Sequence, residues 1–114
     1  MAQPVSILAV DAGTGSVGFI EFKAAGTTQA KVVGGGFGAA EVVTLRVATV
    51  SSAGQGGRII LGTATANAVG AFETTLNLTD ANFAAGTVHT LDAFGTNGNN
   101  AAVGFAIADK VATD

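Results

Sequence analysis

The chain has no cysteine, no tryptophan and no tyrosine, and Pro4 is its only proline. Without cysteine, no disulfide can staple the fold and no thiolate can hold a metal. Charge is scarce as well: 11% of residues are Asp, Glu, Lys or Arg, against about 25% in an average soluble domain. Charge keeps free domains apart, so so neutral a surface suits a protein whose faces are covered by neighbours. The alternative is a bias toward small residues with no consequence for association. The five basic residues are Lys23, Lys31, Arg46, Arg58 and Lys110, and the net charge is −3. They are scattered, whereas phosphate binding needs clustered Lys or Arg, so nucleic acid is not an expected partner. No apolar run approaches the roughly 20 residues needed to cross a bilayer, so no membrane span is expected. Met1 to Val10 carry neither a basic leader nor a long apolar segment and do not read as a signal peptide.

What is present is a chain of 114 residues, rich in alanine and with 17 glycines. That length is close to the commonest domain size and supports one modest core. Helical periodicity is nearly absent. Short β-rich runs recur instead, separated by Gly, Asn and Asp, which is the pattern of a sandwich or barrel. Strands are expected near Val5–Val10, Val17–Lys23, Gln29–Val33, Val42–Val50, Arg58–Ala66, Ala71–Leu78, Thr87–Ala93 and Ala102–Ala108. Asn97-Gly98 favours a tight turn, Ala53 to Gly57 reads as a flexible loop, and Asp80–Ala85 reads as a loop with one helical turn.

Several runs alternate cleanly. Phe72, Thr74, Leu76 and Leu78 share one face, while Glu73, Thr75, Asn77 and Thr79 share the other. Val43, Leu45 and Val47 oppose Thr44 and Arg46, and Val103, Phe105 and Ile107 oppose Gly104 and Ala106. One buried and one solvated face is what an antiparallel sheet needs. The first two runs differ: Val5, Ile7, Leu8 and Val10 carry apolar groups on both faces, as do Val17, Phe19, Ile20 and Phe22. A strand apolar on both sides must be covered on both sides. These eight side chains are therefore candidate assembly contacts, on an amino-terminal arm or hairpin that docks onto another subunit. The competing expectation is an extra strand folded onto the chain's own sandwich.

The order of small motifs from Lys31 onward resembles the bacterial immunoglobulin-like repeat of surface and virion proteins. The residues that carry the likeness are Gly34-Gly35-Gly36-Phe37, Glu41-Val42-Val43-Thr44-Leu45, Gly62-Thr63-Ala64-Thr65-Ala66, Ala85-Gly86-Thr87-Val88-His89-Thr90-Leu91 and Phe105-Ala106-Ile107. The resemblance implies an immunoglobulin-like antiparallel β-sandwich over residues 27–114, with residues 1–26 as the amino-terminal arm. It gives Gly36 and Phe37 structural places in a glycine-rich turn. Two departures stand out. Gly38-Ala39-Ala40 replaces the family's Pro-Gly, which implies a looser turn. His89 stands where a tyrosine is common, and such a tyrosine fastens a corner by bonding backbone. His89 is thus expected to be a structural hydrogen-bonder, since one histidine without a nucleophile or second ligand makes no site.

Two motifs suggest phosphate chemistry and fail on context. Gly13-Thr14-Gly15-Ser16-Val17-Gly18 spells a dinucleotide fingerprint, but strand-forming Phe19-Ile20-Glu21-Phe22 follows where a helix is required. Ile7 to Val17 resembles the first phosphate loop of sugar kinases of the actin-like ATPase superfamily. Those enzymes need two large domains, which 114 residues cannot hold. The carboxylates Asp11, Glu21, Glu41, Glu73, Asp80, Asp92, Asp109 and Asp114 are spread singly, with no calcium-loop spacing. No catalytic residue, cofactor or metal ligand is expected. The resemblance, the low charge and the apolar amino terminus together point to a virion accessory protein, such as a phage capsid-decorating protein, contacting other virion subunits or forming a homo-oligomer. A secreted or cell-surface adhesion module and a self-polymerising filament subunit are the alternatives.

Overall fold

A computed structural model of the chain describes residues 5–23, 27–50, 56–79 and 83–108. Most of the Ala53–Gly57 loop, Asp80–Asn82 of the expected helical turn, and Asp109 and Asp114 lie outside the described residues. The expected strands are present as β1 (Ser6–Asp11), β2 (Phe19–Glu21), β3 (Gln29–Gly35), β4 (Val42–Val50), β5 (Gly56–Thr65), β6 (Phe72–Asn77), β7 (Val88–Gly95) and β8 (Asn100–Ala108). Among the described residues there is no helix, and so none long and apolar enough to cross a membrane.

The strands form two sheets. One has the order β1-β3-β6 and the other β2-β8-β7-β4-β5. Every pairing is antiparallel except β2 with β8, which is parallel. The segment Val5 to Lys23 therefore supplies an edge strand to each sheet. β1 lies against β3, with Ile7 opposite Gly34 and Ala9 opposite Val32. The chain then crosses to the second sheet, where Ile20 lies opposite Ile107.

Period-2 alternation decides which face is buried. In β4, Val43, Leu45 and Val47 have no exposed surface, while Val42, Thr44 and Arg46 point outward. In β6 the buried Phe72 and Leu76 alternate with exposed Glu73 and Thr75. The core joins Ile7, Ala9, Val32, Phe72 and Leu76 of the three-stranded sheet to Ile20, Val43, Leu45, Leu91, Phe105 and Ile107 of the other. Burying each such large side chain stabilises the fold by about 1.5–3 kcal/mol.

Two local features shape the sandwich. Between β4 and β5 the register slips at Leu45/Arg46, so that Leu61 is skipped between Ile60 and Gly62. A bulge of this kind bends and twists an edge strand and discourages pairing with another chain. At the turn before β6, Gly70 has φ +82°, and a Cβ there would meet the carbonyl oxygen of Phe37 at 1.9 Å. Only glycine allows that approach, through which the Phe37 N–H donates to the Gly70 carbonyl at 3.1 Å.

Candidate assembly surface

The apolar side chains expected to meet a neighbour divide by burial. Ile7 and Ile20 belong to the chain's own core, and Val5, Val10 and Phe22 are half-buried. Leu8, Val17 and Phe19 remain exposed, Phe19 at 57%. The reason is the pleat: β1 turns Ile7 and Ala9 inward, which leaves Leu8 on the outer face. Leu8 also lines an open groove of about 220 Å³ with Ser6, Ile7, Val33, Gly34 and Gly35.

Phe19 does not stand by itself. It is in register with Ala106 of β8, and Ala106 is in register with Val88 of β7, which is 76% exposed. In-register neighbours share a face, so Phe19, Ala106 and Val88 form one apolar row across three strands. The next rows carry Gly104, Thr90, Ala48 and Arg58, then Ala102, Asp92, Arg46 and Ile60, the last 68% exposed. Arg46 Nε donates to Asp92 Oδ2 at 2.7 Å, and its guanidinium lies 4.2 Å from the ring centroid of Phe94. The outer face of the five-stranded sheet is thus apolar along the Phe19, Ala106 and Val88 row and mixed elsewhere, with the Arg46–Asp92 ion pair near its middle. The apolar excess in the sequence points to Phe19 but to neither Val88 nor Ile60. The signal for Val88 was its place one residue before the inward His89.

The structural positions are occupied as follows. Phe37 is buried and packs on Phe72 with ring centroids 5.4 Å apart, and Gly36 holds φ +87° just before it. His89 is buried between Phe83, centroid 4.8 Å away, and Phe105, 5.5 Å away. Its Nε2 lies 2.8 Å from Thr87 Oγ1, and that hydroxyl donates to the Ala84 carbonyl at 2.6 Å. A threonine hydroxyl has one proton to give, so His89 Nε2 carries hydrogen and donates to Oγ1. The histidine therefore reaches backbone through Thr87, tying the start of β7 to the preceding loop.

Asp11 closes the turn between β1 and β2. Its Oδ2 accepts the N–H groups of Gly13 at 3.0 Å and Thr14 at 2.7 Å, and its Oδ1 accepts the Glu21 N–H at 2.8 Å. Burial pushes this carboxyl up, but the amides of Glu21, Thr14 and Gly13 outweigh burial and hold it below the ordinary value. In a phosphate loop such amides would face a phosphate; here the chain's own carboxylate takes them. Strand β2 follows the Gly-Thr-Gly turn, where a dinucleotide site needs a helix.

The second buried carboxylate, Glu41, gathers the loops at the opposite end. Its Oε1 accepts the Gly38 N–H at 2.7 Å and the Asn99 side-chain amide at 2.8 Å, and its Oε2 accepts the Asn97 N–H at 2.8 Å. Burial raises its pKa, but the bonds from Gly38, Asn99 and Asn97 prevail and hold it below the ordinary range. One side chain thus fastens the β3–β4 loop to the β7–β8 turn. The Gly38-Ala39-Ala40 turn is closed by the Glu41 N–H donating to the Gly38 carbonyl at 3.1 Å. Its cost falls on Ala40, which holds a left-handed φ of 61°.

Lys23 pairs with Glu21, Lys31 with Glu73 at 3.0 Å, and Arg46 with Asp92. Among the described residues, no group of three or more His, Asp or Glu side chains could hold a metal ion. No family model matches the chain, and no curated protein is similar to it.

Proposed function

We propose that this chain is a non-enzymatic structural protein that binds neighbouring subunits through the outer face of its five-stranded sheet, as an immunoglobulin-like accessory protein of a phage virion. The observation that carries the reading is the row of Phe19, Ala106 and Val88, in which Phe19 and Val88 are exposed. Large apolar side chains clustered on a flat face are a liability in water and an asset under a partner. The two buried carboxylates favour a structural role, because their bonds go to the chain's own amides. The split into sheets β1-β3-β6 and β2-β8-β7-β4-β5, with β1 and β2 on opposite sheets, supports the immunoglobulin-like reading.

The test is the size of the particle from which the native protein purifies, measured by light scattering, beside Phe19→Ser and Val88→Ser variants. The expected result is a large assembly from which each variant dissociates at least about tenfold more readily. A wild-type chain that stays monomeric and binds no particle would sink the proposal. So would surface variants that assemble as the wild type does.

A further inference from the structure

We propose that Asn97 is a latent self-modification site, held closed by the Glu41 clasp and opened when that clasp is released. Asn97 is exposed, and Gly98 follows it in the turn between β7 and β8. Asparagine before glycine is the pair most prone to lose its side-chain amide, because glycine has no side chain to hinder attack by its own backbone nitrogen. The Gly98 amide nitrogen forms a bond to Asn97 Cγ and gives up its proton. The Cγ–Nδ2 bond breaks, and ammonia leaves with that proton. Water then opens the resulting five-membered imide at one carbonyl or the other. The product is an aspartyl residue, or an isoaspartyl residue with an extra methylene in the backbone and a free α-carboxylate.

The native turn opposes the first step. The Gly98 N–H, which must lose its proton to attack, donates to the Gly95 carbonyl at 3.0 Å. The Asn97 N–H is held at 2.8 Å by Glu41 Oε2, and the neighbouring Asn99 amide by Glu41 Oε1 at 2.8 Å. The Gly95 N–H closes the turn on the Asn99 carbonyl at 2.7 Å. The backbone on both sides of the reacting bond is therefore fixed, and Cγ can reach the Gly98 nitrogen only after local opening. Once the reaction has occurred, closure is blocked. A new carboxylate at position 97 adds a negative charge to the residue whose backbone N–H Glu41 binds, and like charges so near repel. An isoaspartyl backbone also shifts the N–H that Glu41 binds. The modification is thus a one-way release of the β7–β8 turn from the β3–β4 loop.

The test incubates the full chain at mildly alkaline pH and follows position 97 by peptide mass spectrometry and by enzymatic isoaspartate labelling. Three samples are compared: native protein, protein unfolded in urea, and Glu41→Gln under native conditions. Asn99→Ala serves as a milder release of the clasp should Glu41→Gln fail to fold. The expected result is conversion at least about tenfold slower in the native chain than in urea, with an intermediate rate in the clasp variants. Asn67, followed by Ala68, should change little in the same samples. Native conversion as fast as in urea would overturn the proposal, as would folded clasp variants that convert no faster than wild type.

Discussion

Gly95 and the carboxylate of Glu41 are in direct contact across the end of the sandwich: a Cβ built on Gly95 would meet Glu41 Oε2 at 2.0 Å. A strand residue far along the chain thus leaves the space in which a buried anion sits. Gly95→Ala fills that space and must move either β7 or the carboxylate that binds Gly38, Asn97 and Asn99. Overpacking of this kind costs about 1–3 kcal/mol, which denaturant unfolding would read as a lower midpoint at unchanged slope. Gly104→Ala is the control, because the nearest atom to a Cβ there is the His89 carbonyl oxygen at 3.8 Å. That substitution should be nearly silent.

Acid should weaken the fold through Asp11 and Glu41. Both have folded-state pKa values below their ordinary 3.8 and 4.5, because the amides they bind favour the charged form. A depressed folded pKa contributes stability that is fully present above the ordinary value and lost as pH falls through the folded value. The contribution of these two carboxylates should therefore be flat down to about pH 5 and fall below about 4, so unfolding midpoints should drop between pH 5 and 3. Asp11→Asn and Glu41→Gln should each flatten that fall. A midpoint that does not change between pH 5 and 3 would contradict both assignments.

Ala40→Gly should stabilise the protein. Ala40 is the one described non-glycine residue with positive φ, at 61°, and that conformation costs an L-residue about 1–2 kcal/mol. Glycine removes the cost but gains about 0.4–1 kcal/mol of freedom in the unfolded chain. The net expectation is a gain of about 0.5–1 kcal/mol, visible as a rise in Tm. Ala39→Gly, beside it, lacks the strain to relieve and should destabilise slightly.

The strands were legible in the sequence because their faces alternate. Phe72, Leu76 and Leu78 are buried where the period put them, and Glu73, Thr75 and Asn77 are exposed. The Glu41 clasp was not legible. Its partners Gly95, Asn97 and Asn99 are more than fifty residues away, and only the register of β4 against β7 brings them together. Glu41 in the sequence was one of several scattered carboxylates. The strain at Ala40 was likewise hidden, since alanine is not a turn-former and only the loop's closure onto Gly38 and Asn67 requires its φ. The amino-terminal runs showed an apolar excess on both faces, but the residues alone could not apportion it. In the fold, Ile7, Ala9 and Ile20 serve the core, while Leu8, Val17 and Phe19 stay outside.

That apportioning separates two roles of the amino-terminal segment by experiment. Deleting residues 2–23 removes β1 and β2, and with them Ile7, Ala9 and Ile20 from the core. It also uncovers the edges of β3 and β8 to which they bond. The two isoleucines together contribute about 3–6 kcal/mol of burial, against a total stability of about 5–15 kcal/mol for a domain. The truncated chain is therefore expected to lose cooperative unfolding, seen as a broad transition by circular dichroism. Phe19→Ser is the complementary change. Phe19 is 57% exposed and in register with Ala106, so its loss leaves the core intact. Its unfolding midpoint should stay within about 0.5 kcal/mol of wild type, while assembly is weakened. A truncated chain that unfolds as cooperatively as the full one would show that β1 and β2 act only as an arm. A Phe19→Ser chain that loses stability instead of assembly would show that Phe19 serves the fold and faces no partner.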